Sequence, residues 1–353
     1  MKKILTLGLT LVMAALLLAG CGGGDKEKGE LNLYTFDGLF PQEVLNDFTK
    51  ETGIKINYSS FDTNEAMLSK LESTEGGEYD LVVVDDYIIE TAIQENLVKE
   101  LDKEKISNYD NLNPLFQGQY FDPENKYSIP YGAGIQAIVY SPERTGFEIR
   151  SFDDLLNPAL KGRIGVVNNA RFIYGASLLE DGESVNEENP DKIKKAAKQV
   201  QDMAPNIRLI KDYGLQDDIV SGEIDAAVTY TSEVTQACVA DPSLKVVYSQ
   251  KKLGFGVMAQ FIPVNAPNAD SAYAFIDYIL RPEVSKKCFE SIGYYSTNKA
   301  ADDLIEDSMK PFLTLPEGVK IEQMDMMHNV APETLDLHMD LWTQFRQACG
   351  MSE

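Results

Sequence analysis

The chain has 353 residues, 56 Asp+Glu against 32 Lys+Arg, a formal charge of −24 and 44% hydrophobic residues. That length is enough for two domains with sizeable cores, and the composition excludes disorder for the body of the chain. So acidic a surface, without a dense basic patch, excludes nucleic acid as a partner and weakly favours small cations.

In chain order, Lys2 and Lys3 precede an apolar run from Ile4 to Leu18. This is the pattern of a secretory signal peptide over residues 1–20, too short to span a bilayer as a membrane helix. Leu18-Ala19-Gly20-Cys21 resembles a bacterial lipobox, which implies lipid on Cys21 and attachment to the outer face of the cell membrane (the periplasmic side in a diderm cell). Residues 21–30 are expected to be a flexible tether, since Gly22 to Glu30 carries no apolar side chain.

From residue 31 strands alternate with helices. Leu31 to Thr35 reads as a strand; Pro41 opens a helix with Val44, Leu45 and Phe48 on one face and Gly53 as its terminator. Lys55 to Phe61 is a second strand, Asn64 is expected to cap a helix carrying Met67, Leu68 and Leu71, and Tyr79 to Val84 is a buried strand. Asp85 or Asp86 is expected to cap the helix bearing Ile88, Ile89, Ala92 and Ile93.

A second alternating series begins near Arg163, with strands at 163–167, 207–210, 225–230 and 244–248 and helices at about 170–180, 190–203, 215–221 and 232–240. Two extended segments, Tyr127 to Tyr140 and Phe255 to Pro263, join the halves and suit a hinge of two chain crossings. Further helices are expected near 267–280, 282–292 and 333–348. With Cys21 assigned to lipid, Cys238, Cys288 and Cys349 leave one disulfide open without choosing it, and no Cys-x-x-Cys or Cys/His cluster points to a metal.

Several strings occur in order: Thr49-Lys50-Glu51-Thr52-Gly53-Ile54-Lys55-Ile56, Tyr79-Asp80-Leu81-Val82-Val83, Tyr127-Ser128-Ile129-Pro130-Tyr131, Leu280-Arg281-Pro282-Glu283-Val284, Ile292-Gly293-Tyr294 and Asn298-Lys299-Ala300-Ala301. Together they resemble the spermidine/putrescine-binding proteins of bacterial ABC importers. The resemblance implies an α/β, two-lobed periplasmic-binding-protein fold (Venus flytrap, type II), with lobe I over 31–136 and 259–304 and lobe II over 137–258 and 305–353. It also implies a monomer that needs no cofactor, binds a cationic amine between its lobes and presents it to membrane permease subunits.

The site positions follow from the same resemblance. Phe36, with Asp37 beside it, stands where the family stacks a tryptophan, and Asp85 and Tyr87 match polar and aromatic contacts. Asn169 and Phe172 stand where polyamine binders carry carboxylates; Met258 takes a third acidic position, with Gly256 in place of an aromatic. Glu233, three residues after the aromatic Tyr230, is expected to compensate, as in putrescine binders; Tyr294 matches a ligand-contacting tyrosine and His328 falls near a polar contact. These departures imply a ligand charged at one end and apolar or hydrogen-bonding at the other, either a polyamine-related amine or another organic cation or amino-acid derivative.

Other signals are weaker. Gly132-Ala133-Gly134-Ile135-Gln136-Ala137 fits a loose nucleotide-loop pattern but opens no helix, and His328 and His338 have no His-Glu partner motif for a metal. Tyr294-Tyr295 as an iron site, and Asp122, Glu124 and Asn125 as a calcium loop, are less favoured than ligand contact and a plain turn. No G-x-S-x-G elbow supports the alternative of a lipoprotein enzyme on this fold, and a sensor or adhesin would use the same closure.

Overall fold

A computed structural model describes residues 29–316, 319 and 323–351. The signal peptide, Cys21 and most of the tether lie outside the described residues. The tether ends earlier than expected, because Gly29 and Glu30 already pair with Ile54 and Lys55.

The first lobe opens as β1 (Gly29–Thr35), α1 (Gln42–Thr52), β2 (Ile54–Ser60), α2 (Asn64–Ser73), β3 (Leu81–Val84) and α3 (Asp86–Gln94). β1 runs parallel to β2 and to β3, as strands joined through helices do. The four residues of β3 are all buried, which explains their unbroken Leu-Val-Val-Val run: helices and the sheet cover both faces. β4 (Ser128–Ile135) then leads through Gln136 into β5 (Ala137–Tyr140) of the second lobe.

That lobe adds β6 (Ile164–Val167), α5 (Ala170–Asp181), α6 (Pro190–Asp202), β7 (Ile207–Lys211), α7 (Leu215–Ser221), β8 (Ala226–Thr229), α8 (Thr231–Ala240) and β9 (Lys245–Val247); α4 (Pro142–Thr145) is a single turn after β5. Its sheet has the order β7-β6-β8-β5-β9, with β6 parallel to β7 and β8. β10 (Leu253–Phe261) returns to the first sheet, antiparallel to both β3 and β4. α9 (Ala269–Ile279), α10 (Pro282–Ile292), β11 (Tyr295–Ser296), α11 (Lys299–Asp302), α12 (Lys310–Leu313), β12 (Met324–Met326) and α13 (Pro332–Ala348) follow. The first sheet reads β11-β4-β10-β3-β1-β2, with β12 paired to β10.

The sheets place two boundaries differently from the sequence reading. Residues 253–258 belong to β10 of the first sheet, so the chain leaves the second lobe between Val247 and Leu253 rather than after 258. Within 305–353, β12 is on the first sheet, whereas Trp342 and Phe345 of α13 are buried in the second lobe's core. A third passage between lobes therefore runs from Met327 to Ala331, beyond the two expected. A three-residue Met-Asp-Met strand has too few positions to show alternation.

The first two crossings are tied together where Gln136 N donates to Gly254 O at 2.8 Å. Cys238, Cys288 and Cys349 are free thiols, and the first two are buried, which closes the disulfide question for the described residues.

Candidate functional site: a cleft at the strand ends

In both sheets candidate residues directly follow the carboxyl ends of parallel strands. Phe36 follows β1, Asp85 follows β3, Asn169 follows β6 and Tyr230 follows β8. Open α/β sheets place their ligands at such ends, because the loops there are free to vary and helix N-termini start there.

Asp85 is the acidic centre of the first-lobe wall. It occupies the N-cap position of α3, yet its carboxylate makes no capping bond. Instead Asn64 Nδ2 donates to Asp85 Oδ2 at 2.8 Å and to the Tyr87 hydroxyl at 3.0 Å, and that hydroxyl donates to Glu65 Oε1 at 3.2 Å. Burial raises the Asp85 pKa, the Asn64 bond opposes it, and the Glu65 charge adds to it. The cap of α2 is Thr63, whose hydroxyl accepts from Ala66 N at 3.2 Å; this corrects the expectation for Asn64 and leaves its amide for Asp85.

Asp86 turns the other way. Its Oδ1 accepts from Tyr87 N at 2.8 Å and its Oδ2 from Val257 N at 3.0 Å, so it binds α3 to β10. Burial pushes its pKa up to about 7. Phe36 packs edge-on against Phe61 at 4.5 Å, and its carbonyl accepts from the Tyr58 hydroxyl at 2.6 Å. Asp37 beside it is exposed.

On the second lobe Asn169 Oδ1 accepts from Phe172 N at 3.0 Å and caps α5, which turns the amide nitrogen toward the Tyr230 hydroxyl at 3.5 Å. The rings of Phe172 and Tyr230 meet edge to face at 4.8 Å. Burial raises the Tyr230 pKa, Asn169 opposes it, and the Asp85 charge on the first lobe adds to it; burial and Asp85 likewise raise that of Tyr294. Asp85, Tyr230 and Tyr294 come from three separate parts of the chain, and the Asp85 charge acts on both hydroxyls.

Two glycines of β4 make this approach feasible. A Cβ at Gly132 would lie 3.1 Å from Tyr294 Cβ, and one at Gly134 would lie 2.9 Å from Thr231 Oγ1. Thr231 Oγ1 in turn holds both Ile135 N and Ile135 O at 2.7 Å, fixing the start of α8 against the end of β4. The Gly-x-Gly pattern is therefore a close-packing device within a strand, with no helix after it.

Three expected contacts are engaged by other parts of the protein. Glu233 is buried and occupied: Oε1 accepts from Gly214 N and from Leu215 N at 3.3 Å, and Oε2 accepts from the Thr229 hydroxyl. It secures the turn into α7, which commits both of its oxygens within the second lobe. Met258 is 7% exposed and packs in the first-lobe core, whose rim includes Phe36 and Tyr294. His328 lies on the third passage, its ring 3.6 Å from that of Tyr120 and its N donating to Asn186 Oδ1 at 2.7 Å. Asp122, read as a plain turn, accepts from the backbone N of Lys126, Tyr127 and Ser128 at 2.8–2.9 Å.

Sequence reasoning missed Asn64 and Arg171. Arg171 follows the cap of α5, and its Nη2 donates to Asn186 Oδ1 at 3.0 Å. The only available signal was position, two residues after Asn169 in a loop already assigned to the cleft.

Two α/β lobes, each with its own sheet and joined by short passages of chain, are the architecture of the solute-binding proteins. The chain matches the bacterial extracellular solute-binding protein family over residues 43–313 and belongs to that family. It is 31% identical over 322 residues to the spermidine/putrescine-binding periplasmic protein of Escherichia coli (strain K12), covering 91% of this chain and 92% of that one. To the putrescine-binding periplasmic protein SpuD of Pseudomonas aeruginosa (strain UCBPP-PA14) it is 27% identical over 84% of this chain and 87% of the other. Its fold matches the crystal structure of the spermidine/putrescine ABC transporter substrate-binding protein PotD from Streptococcus pneumoniae with a TM-score of 0.80 at 29% identity, covering 91% of this chain and all of that one. Solute binding, and not catalysis, is what this family does. No helix among the described residues is long and apolar enough to cross a membrane.

Proposed function

We propose that the protein is the lipid-anchored extracytoplasmic receptor of an ABC importer, that it binds a small organic amine related to the polyamines, and that Asp85 pairs the ammonium group. One observation carries the reading. β3 and β10 are antiparallel with Val84 opposite Ala259 and Val83 opposite Gln260, so the next step of that register sets Asp85 against Met258. On this reading Asp85 takes over the role of the carboxylate expected on β10. An ammonium there would keep a counter-charge, without which its burial costs several kcal/mol.

Phe36, Tyr87, Tyr230 and Tyr294 supply the faces on which a methylene stem packs and a cation is attracted, each cation–π contact adding about 0.5–2 kcal/mol when desolvated. The names of the Escherichia coli and Pseudomonas aeruginosa relatives support an amine. The lipid on Cys21 would hold the mature chain at the membrane surface. Ligand that touches both lobes favours the closed state by its differential affinity, and the closed shape is what the permease would read. A thermal-shift panel of putrescine, spermidine, other amines and amino acids tests this: a ligand at 100 times its dissociation constant adds about 2.7 kcal/mol. A panel in which no amine shifts the melting temperature would remove the reading.

A further inference from the structure

Two buried polar atoms near the cleft have no partner among the described residues, and they are of opposite kinds. On the first lobe it is an acceptor, Asn64 Oδ1. Asn64 is 7% exposed, and its amide nitrogen is already committed to Asp85 and Tyr87, which orients the oxygen. On the second lobe it is a donor, Arg171 Nε. An orphaned buried polar group costs about 1–3 kcal/mol, and more when it is charged.

Arg171 is also short of counter-charge. Of the seven arginines, Arg144, Arg150, Arg163, Arg208 and Arg281 sit in ion pairs; among the described residues Arg346, in the last turn of α13, and Arg171 do not, and Arg171 has the neutral Asn186 amide as its partner. Its guanidinium is near enough to Tyr87, Tyr120 and Asp86 of the first lobe to interact with them, and burial is the larger influence on it. Asp86 already holds two backbone N–H groups. The wall residues Asn169, Phe172 and Tyr230 bear no charge, and Glu233 is occupied. The cleft therefore offers one anionic wall and one cationic wall, where a diamine would want two anionic ones.

Resting on the reading of the cleft as an amine receptor, we infer that the ligand is an amino carboxylate with separated ends, its ammonium on Asp85 and Asn64 Oδ1 and its carboxylate on Arg171. A primary ammonium has N–H groups to give the orphan acceptor, and a carboxylate gives Nε an acceptor in the forked geometry that guanidinium favours. Phe172, Tyr230 and Tyr294 provide the apolar surface for the stem between the two ends.

Calorimetric titration of the purified chain with 4-aminobutanoate, 5-aminopentanoate, putrescine and butylamine tests it. At least one amino acid is expected to bind more tightly than putrescine and butylamine. Arg171→Met should weaken that amino acid about tenfold or more, the loss of one charge-assisted bond, without weakening butylamine. Arg171→Lys should retain part of the affinity. Putrescine binding more tightly than either amino acid overturns the inference and leaves the amine reading standing; no binding by any of the four overturns both. The ranking on the unaltered chain decides the matter even where Arg171→Met fails to fold.

Discussion

Asn64 and Asp85, 21 positions apart in the chain, are joined by a hydrogen bond of 2.8 Å from amide nitrogen to carboxylate. The bond fixes the carboxylate at the end of β3, in place of the helix cap that its position would suggest. A residue that could have closed off its own helix is thereby held for another use.

Removing that anchor should cost both stability and binding. Asn64→Leu leaves the buried Asp85 and Tyr87 oxygens without their donor, a loss of about 1–3 kcal/mol in urea unfolding. Amine affinity should fall as well, because the carboxylate is then free to turn away from the cleft.

Glu233 should behave as a structural residue. Glu233→Gln replaces an oxygen that accepts from the Thr229 hydroxyl or from the turn at Gly214 by a donor, so a loss of about 1–3 kcal/mol of stability is expected. Ligand preference, measured as the ratio of affinities for two amines, should not change.

Gly134→Ala should overpack the joint between lobes. The new methyl would meet Thr231 Oγ1 at 2.9 Å and disturb its paired bonds to Ile135, at a cost of about 1–3 kcal/mol in unfolding free energy. Small-angle scattering with and without ligand should show a smaller change than in the unaltered chain.

Asp86 should contribute a decline in stability as pH rises from about 4 to 7, in the same direction as the other raised carboxyls Asp85, Glu180, Glu233 and Asp302. Its carboxyl moves from 3.8 to about 7 on folding, so between those values the folded chain holds the extra proton. A group raised in this way contributes fully below its unfolded value and loses that contribution as pH climbs through its folded value. Asp86→Asn cannot titrate, and its unfolding free energy should vary less between pH 4 and pH 8 than that of the unaltered chain.

Much of the fold was legible because local signals agreed with the topology. A valine-rich run marked β3, Pro282 marked the first position of α10, and Gly53 in left-handed conformation ends α1. Short segments were less legible: β12 has three residues, and its pairing to β10 is set by tertiary contact. The candidate site was legible through the family resemblance, and the structure sets Asp85, Asn169 and Tyr230 just after the carboxyl ends of β3, β6 and β8. The hydrogen bonds of Glu233 were not legible, because spacing from Tyr230 gives its helix while the turn at Gly214 that it holds comes from a different part of the chain. Asn64 was hidden by Thr63, since either residue type can cap a helix and only the three-dimensional neighbour decides which one does.

The most direct measurement is a calorimetric titration of the unaltered chain and of Asp85→Asn with the amine that gives the largest thermal shift. If Asp85 pairs the ammonium, the substitution removes a charge-assisted bond and should weaken binding by about tenfold to a hundredfold, with the fold intact by circular dichroism. Equal affinity in the two proteins would contradict the claim and place the ammonium elsewhere in the cleft.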